Sequence, residues 1–286
     1  MKNISFNLSG KIDSRTVATL RAVKEIAGSL DIPFFVVGAS ARDFVLTHCY
    51  GVEARRATKD IDLGIEVAGW DKFAEFKKAL IAAGRFTSDQ KEPQRLYYDS
   101  VPVDIVPFGP IAGQNGKISW PPHHRVYMSM CGFKEAYENS ITVRISSRPD
   151  LDIKLPTVPG LALMKLVSWE ERYPERKKDA EDLILIMTAC EEIGMDRLYD
   201  QEPALLEAEE FNLGDAAVRL LGRDMAKIAD PATLKIIRQT LDQELNPDTP
   251  YRLIQDMAGA GFGFESRSAG ILPRIEKLRK GLNEKT

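Results

Sequence analysis

Residues 36–65 read VVGASARDFVLTHCYGVEARRATKDIDLGI, and the two ends of this stretch decide the fold. Gly38-Ala39-Ser40 follows the apolar run Phe34-Phe35-Val36-Val37. Glycine after a short β-branched run predicts a strand that turns into a helix, with the backbone open to close approach by a ligand. At the far end, Asp60-Ile61-Asp62-Leu63-Gly64-Ile65 predicts a second strand over 59–67. Strand side chains alternate with period two, so Asp60 and Asp62 share one face while Ile61 and Leu63 pack on the other.

Working outward, 13–30 carries Val17, Leu20, Val23, Ile26 and Leu30 at helical spacing. A short helix is expected over 41–47 and an amphipathic one over 70–83, ending at Gly84. Residues 95–98 and 101–107 read as a strand pair turning at Asp99-Ser100, and 142–146 as a further strand. Gly and Pro fill 109–122, a connection long enough to suggest function. From Pro159 the pattern is almost wholly helical, with starts expected at Pro159, Pro174, Asp230-Pro231 and Thr249-Pro250. The expected class is α+β: an α/β domain with a mixed sheet over 1–155, then an all-helical domain over 156–286.

At 286 residues the chain is long enough to bury a core without staples. Three cysteines without C-x-x-C spacing argue against a disulfide framework or zinc ribbon. No apolar run reaches a membrane span and the first residues lack a signal-peptide core, so a cytoplasmic location is expected, with no membrane partner. A net charge of −3 gives no global attraction to nucleic acid. Basic residues cluster locally at Arg55-Arg56 with Lys59, and at Arg172 with Arg176-Lys177-Lys178. Solvated surface is the plainer reading of each cluster.

Paired carboxylates repel unless a cation lies between them, and a hard divalent ion prefers oxygen ligands. Asp104 is a lone acid in the apolar run 101–106, where an unpaired carboxylate would be expensive. On a neighbouring strand it would join Asp60 and Asp62 at Mg²⁺ or Mn²⁺, or accept a proton from an attacking hydroxyl. Gly38, Ala39 and Ser40 would hold phosphate at a helix N-terminus, with Arg42 adding a fork of donors. Asp43 is read as a first-turn acid with a structural role. A D-x-D strand alone is common, and a G-A-S turn alone is often only a helix cap. Their order, with a third strand acid downstream, points to phosphate chemistry on nucleoside triphosphates.

In that order Gly38, Ala39, Ser40, Asp60, Asp62 and Asp104 resemble the signature of the DNA polymerase β-type nucleotidyltransferase superfamily, with Ala39 in place of the commoner second glycine. A second likeness lies at Gly160-Leu-Ala-Leu-Met-Lys165-Leu-Val-Ser-Trp-Glu-Glu-Arg172 and Lys178-Asp179-Ala-Glu-Asp182-Leu183. It resembles the C-terminal motifs of AbiEii/AbiGii-type proteins, nucleotidyltransferase toxins of toxin–antitoxin systems, some of which modify tRNA 3′ ends. Together the likenesses span 34–188. They imply transfer of NMP from an NTP to an acceptor hydroxyl, with a tRNA or other RNA acceptor and a cognate antitoxin protein as partners. They also imply a helical domain that contributes to the nucleotide and acceptor cleft.

Lys165 and Arg172 sit two turns apart on one helix face, and Pro174 is expected to end that helix and open the next. Asp179 and Asp182 align with Leu183 and Ile186, so they turn inward and need cations, for which Lys165 and Arg172 are the expected partners. Two readings stay open. Lys165 neutralises triphosphate charge with Asp179 and Asp182 orienting it or contacting nucleotide, or the three form an ion-pair network joining two helices.

Residues 36–43 followed by Lys59-Asp60-Ile61-Asp62 also resemble the start of CCA-adding enzymes. Glu181-Asp182 is followed by Leu-Ile-Leu, however, without the Arg of their Glu-Asp-x-x-Arg motif. Transfer to a small molecule such as an antibiotic, transfer to a protein side chain, and a non-enzymatic NTP sensor are the other readings. Adjacent His123 and His124 would face opposite sides of a strand, which disfavours a shared metal. Their segment, 120–125, reads as an ordered surface loop or as an acceptor-contacting one.

Overall fold

The computed structural model describes residues 4–53, 58–113, 116–249, 251–259 and 264–284. Arg55 and Arg56 of the first basic cluster, and the expected helix start at Pro250, lie outside the described residues. The chain falls into two compact units, Met1–Thr157 and Val158–Thr286. The first mixes strands with helices and the second is helical, so the class is α+β.

In the first unit β1 (Phe6–Asn7) leads to α1 (Ser14–Ser29). The helix starts where the Asp13 carboxylate accepts the backbone N–H groups of Arg15 and Thr16, each at 3.0 Å. Next come β2 (Phe34–Val37), α2 (Gly38–Arg42), a π-helical stretch (Asp43–Cys49), β3 (Ile61–Glu66) and α3 (Trp70–Ala82). The helix expected over 41–47 therefore begins at Gly38 and runs to Cys49. No proline interrupts 38–49, and Ala41, Phe44, Val45 and Leu46 give it a buried face.

The chain continues with β4 (Phe86–Ser88), β5 (Arg95–Tyr98) and β6 (Val101–Phe108). The stretch 109–122 contains a 3₁₀ turn (Pro110–Ala112) and opens a small hairpin of β7 (Lys117–Ser119) and β8 (Tyr127–Ser129). A short α4 (Phe133–Glu138), β9 (Ile141–Ser147) and β10 (Asp150–Leu155) complete the unit.

The central sheet has the order β2-β3-β6-β5-β4. Its one parallel pair is β3 with β6; the others are antiparallel. A second sheet runs β1-β9-β10. On the central sheet Ile61, Leu63, Ile65, Val103 and Ile105 are buried on one face. Each such side chain contributes about 1.5–3 kcal/mol of transfer free energy. The opposite pleat face carries Asp62 and Asp104 at one end and, further along, buried Phe108 packed edge-on against Phe35 at 5.4 Å. Gly64, across from Phe35, gives the Phe35 ring its place: a Cβ there would sit 3.0 Å from Phe35 Cδ1 and closer still to Cε1.

The second unit holds α5 (Val158–Glu171), α6 (Lys177–Ile193), α7 (Met195–Asp200), α8 (Pro203–Ala208), α9 (Leu213–Ile228), α10 (Pro231–Glu244), α11 (Arg252–Ala258) and α12 (Phe264–Asn283). Pro159 lies in the first turn of α5, and Pro231 opens α10 after the Asp230 cap. Pro174 opens no helix. It sits in the turn between α5 and α6, where the Glu175 N–H closes on Arg172 O at 2.7 Å. Helices α9 and α12 meet backbone to backbone: a Cβ on Gly222 would come within 2.9 Å of Leu282 N, and one on Gly281 within 3.0 Å of Arg223 N. Among the described residues no helix is long and apolar enough to cross a membrane.

Candidate metal and nucleotide site

The ladder between β2 and β3 places Val37 opposite Asp62, so the turn after β2 lands on the second acid. Gly38 has φ +66°, in the left-handed region, and a Cβ there would lie 2.7 Å from Asp62 Cγ. Only glycine meets both conditions. The Ala39 N–H donates to Asp62 Oδ2 at 3.3 Å. Ser40 is buried; its hydroxyl donates to Val37 O at 3.0 Å and accepts the Asp62 N–H at 3.1 Å. Ser40 thereby ties the turn to the acid strand.

Arg42 is 1% exposed, and its Nε donates to Asp43 Oδ1 at 2.8 Å. Asp43 Oδ2 accepts the Thr58 N–H at 3.1 Å, and the Thr58 hydroxyl donates to Asp60 Oδ1 at 2.7 Å. Arg42 and Asp43 form a buried strut under the approach to β3.

The three acids do come together. Parallel pairing sets Asp62 directly across from Asp104. Asp60, just before β3, shares their side, and one carboxylate oxygen from each of the three lies within 4.8 Å of the others. Their side chains are 40% (Asp60) and 16% (Asp104) exposed, open enough for water or a ligand to enter. An all-oxygen donor set of this size fits a hard divalent cation.

Arg95 is the residue that sequence reading missed. It faces Asp104 on β5. Its Nε donates to Oδ1 at 2.7 Å and its Nη2 to Oδ2 at 2.6 Å, with Nη2 also 3.8 Å from Asp60 Oδ2. The hydrogen bonds to Asp104 push the guanidinium pKa further up, so the charge is permanent. The signal was present: a turn at Asp99-Ser100 pairs Tyr98 with Val101, and counting outward pairs Arg95 with Asp104. A fixed cation here competes with any ion the acids take up. Arg95→Ala is expected to tighten Mn²⁺ binding by about tenfold, roughly 1.4 kcal/mol at an effective interior dielectric. Electron paramagnetic resonance titration of free Mn²⁺, without nucleotide, reads this directly. Unchanged or weaker binding would show that Arg95 instead orders Asp104 for the ion.

No family model matches the chain, and no curated protein matches it. Among solved structures it is similar to ANT(2")-Ia in complex with adenylyl-2"-tobramycin, at 16% identity, over 66% of this chain and 95% of that one, with a TM-score of 0.35. It is also similar to a Thermotoga maritima CCA-adding enzyme complexed with tRNA, at 15% identity, over 96% and 80%, with a TM-score of 0.25. A CCA-adding enzyme with CTP matches at 14% identity, over 96% and 80%, with a TM-score of 0.29.

The helical unit holds the second predicted cluster. Lys165 Nζ lies 2.8 Å from Asp179 Oδ1 and 2.7 Å from Asp182 Oδ2, and all three side chains are buried. The second cation is Arg176, whose Nε donates to Asp179 Oδ2 at 2.7 Å. It is not Arg172, which pairs with Glu175 at 3.1 Å on the surface. Helix α5 stops at Glu171, so Arg172 leaves the face it would have shared with Lys165. Burial opposes ionisation of Asp179, but the charges of Lys165 and Arg176 outweigh it and hold its pKa below the usual carboxylate range.

In the β7–β8 hairpin His124 Nδ1 lies 2.9 Å from Ser119 O and 3.0 Å from Ser119 Oγ. Trp120 packs against Trp70 and Phe73 at the start of α3. His124 is engaged within its own loop, and among the described residues neither histidine joins a metal-sized cluster.

Proposed function

We propose that the chain is a metal-dependent nucleotidyltransferase that moves NMP from an NTP to an acceptor hydroxyl. The observation that carries this is the convergence of Asp60, Asp62 and Asp104 beside the Gly38 turn. Asp60, Asp62 and Asp104 would hold Mg²⁺ or Mn²⁺. When bound, such an ion offsets the charge that builds on the α-phosphate and the departing pyrophosphate. The backbone of Gly38 and Ala39 offers the close approach and N–H donors that phosphate oxygens need. Asp62 now accepts the Ala39 N–H, so nucleotide binding exchanges that internal contact for one to the ligand. Asp104 takes the proton of the attacking hydroxyl. Each of its oxygens accepts one N–H from Arg95 and keeps a second lone pair for that proton.

The acceptor we propose is an RNA 3′ end, tRNA among the candidates, with the chain acting as the toxin of a toxin–antitoxin pair. The family resemblance of 160–183 supports this reading. Lys165, Asp179 and Asp182 are proposed to act on the nucleotide from the helical unit. The test is to incubate the protein with each α-labelled NTP, Mg²⁺ and total RNA, then separate RNA, protein and small molecules. Label in RNA, absent with Asp60→Ala, is the expected result. Label in a small molecule or protein would overturn the acceptor alone; no label anywhere would overturn the enzyme.

A further inference from the structure

A groove of about 650 Å³ lies within the first unit, walled by α1, the β9–β10 turn and the start of β4. A smaller one of about 260 Å³ shares Ser14, Ala18, Arg85 and Tyr98 with it, so the two run together. The combined groove is on the far side of the central sheet from the acids. Tyr98 pairs with Val101, on the pleat face of Val103 and Ile105, whereas Asp104 occupies the other face.

Four arginines follow this groove: Arg148, Arg21 and Arg85 line the larger part, and Arg85 and Arg15 the smaller. They stand out in a chain whose net charge is −3. Arg85 is paired with Asp99 and stacks 4.5 Å from the Tyr98 ring centroid. Arg21 uses only Nη2, donating to Ser146 Oγ at 3.1 Å and Pro149 O at 2.9 Å. The side chains of Arg15 and Arg148 form no hydrogen bond or ion pair among the described residues and are exposed. Glu25 is the opposing unpaired charge, leaving a net positive track once Asp99 is set against Arg85. Guanidinium groups strung along a groove, rather than converging on one point, match repeated phosphates better than the single charged end of a mononucleotide. Along the same wall the Ser9 and Ser147 hydroxyls pair with each other at 2.6 Å and Ser146 Oγ donates to Pro149 O at 2.9 Å, so the arginines are the groups left to meet phosphate.

We propose that this groove binds the phosphodiester backbone of a single-stranded RNA, holding the acceptor at a distance from its reacting end. The proposal rests on the reading of RNA as acceptor. The test is fluorescence anisotropy of a fluorescein-labelled 20-nucleotide RNA with the full chain at several salt concentrations. Arg15→Ala with Arg148→Ala is expected to weaken binding about tenfold and to flatten the log–log salt slope by about 1.4, the value for two lost phosphate contacts on a single strand. Neither side chain has a partner, so the thermal midpoint should be unchanged. Lys78→Ala with Lys91→Ala, removing exposed cations that line neither groove, should leave affinity and slope near wild type.

Equal losses in the two double variants would overturn the groove as the binding track. So would an unchanged slope in the arginine variant, or displacement of RNA by poly-glutamate at equal charge. Asp60→Ala should bind the RNA as wild type does while transferring nothing, so loss of catalysis is read separately from loss of the groove. Wild-type protein that labels another acceptor but binds no RNA would overturn the groove and leave nucleotidyl transfer standing.

Discussion

Asp62→Asn is expected to lower nucleotidyl transfer by about a thousandfold, near 4 kcal/mol of lost transition-state stabilisation, while leaving the protein folded. Asparagine keeps the shape, and its side-chain oxygen can still accept the Ala39 N–H that reaches Asp62 Oδ2 at 3.3 Å. The ladder to Val37 and Asp104 involves only backbone and is unaffected. What disappears is one negative charge from a donor set whose oxygens lie within 4.8 Å of each other. Initial rates with α-labelled NTP, beside the thermal midpoint, separate the two effects. Gly38→Ala should match the loss of activity by another route, since its Cβ would collide with the Asp62 carboxylate at a positive φ. A variant at Asp62 that retains a tenth of the wild-type rate would remove the acids from the chemistry.

Lys165→Met is expected to destabilise the helical unit by about 3–5 kcal/mol, because it removes the buried cation that Asp179 and Asp182 share. Asp179 keeps Arg176, but Asp182 loses the ammonium 2.7 Å away. Adding Asp179→Asn and Asp182→Asn to Lys165→Met removes the stranded charge and should restore much of the urea midpoint. That triple variant distinguishes the two roles. A stable protein that has lost transfer marks the Lys165, Asp179 and Asp182 cluster as acting on nucleotide; a stable protein that retains it marks a strut between α5 and α6. The pH dependence has a fixed sign. Asp179 is held below its ordinary value, so its share of stability is present above that value and fades as the pH drops through the lowered one. A urea midpoint that is flat across the carboxylate range in wild type would contradict the ion pair.

The chain declared its strands where apolar side chains alternate and its helices where they recur at helical spacing. Phe34–Val37 and Arg95–Tyr98 stand where the pattern puts them. Alternation also placed Asp60 and Asp62 on one face, and the polar break at Asp104 in an apolar run was enough to suggest a neighbour strand. Strands β4, β7 and β8 escaped notice because three residues are too few to show a period. Strand β10 alternates in DLDIKL, inside the α/β domain but beyond the last strand the reading assigned.

Partner choice was less legible. Residue type shows that Ser40 and Arg42 can donate hydrogen bonds, but not that Val37 and Asp43 take them. Helix length decided between Arg172 and Arg176, and one residue at the end of α5 was sufficient to change the answer.

Asp62 and Asp104 become neighbours only through the parallel pairing of β3 with β6, across a crossover that includes α3. Such a non-local closure is slow compared with hairpin or helix formation. A nascent chain that has released β3 but not β6 carries the acid pair of the first strand without its third member. On the proposed reading, a chain that stops before β6 would lack the third acid and so the donor set for the metal ion.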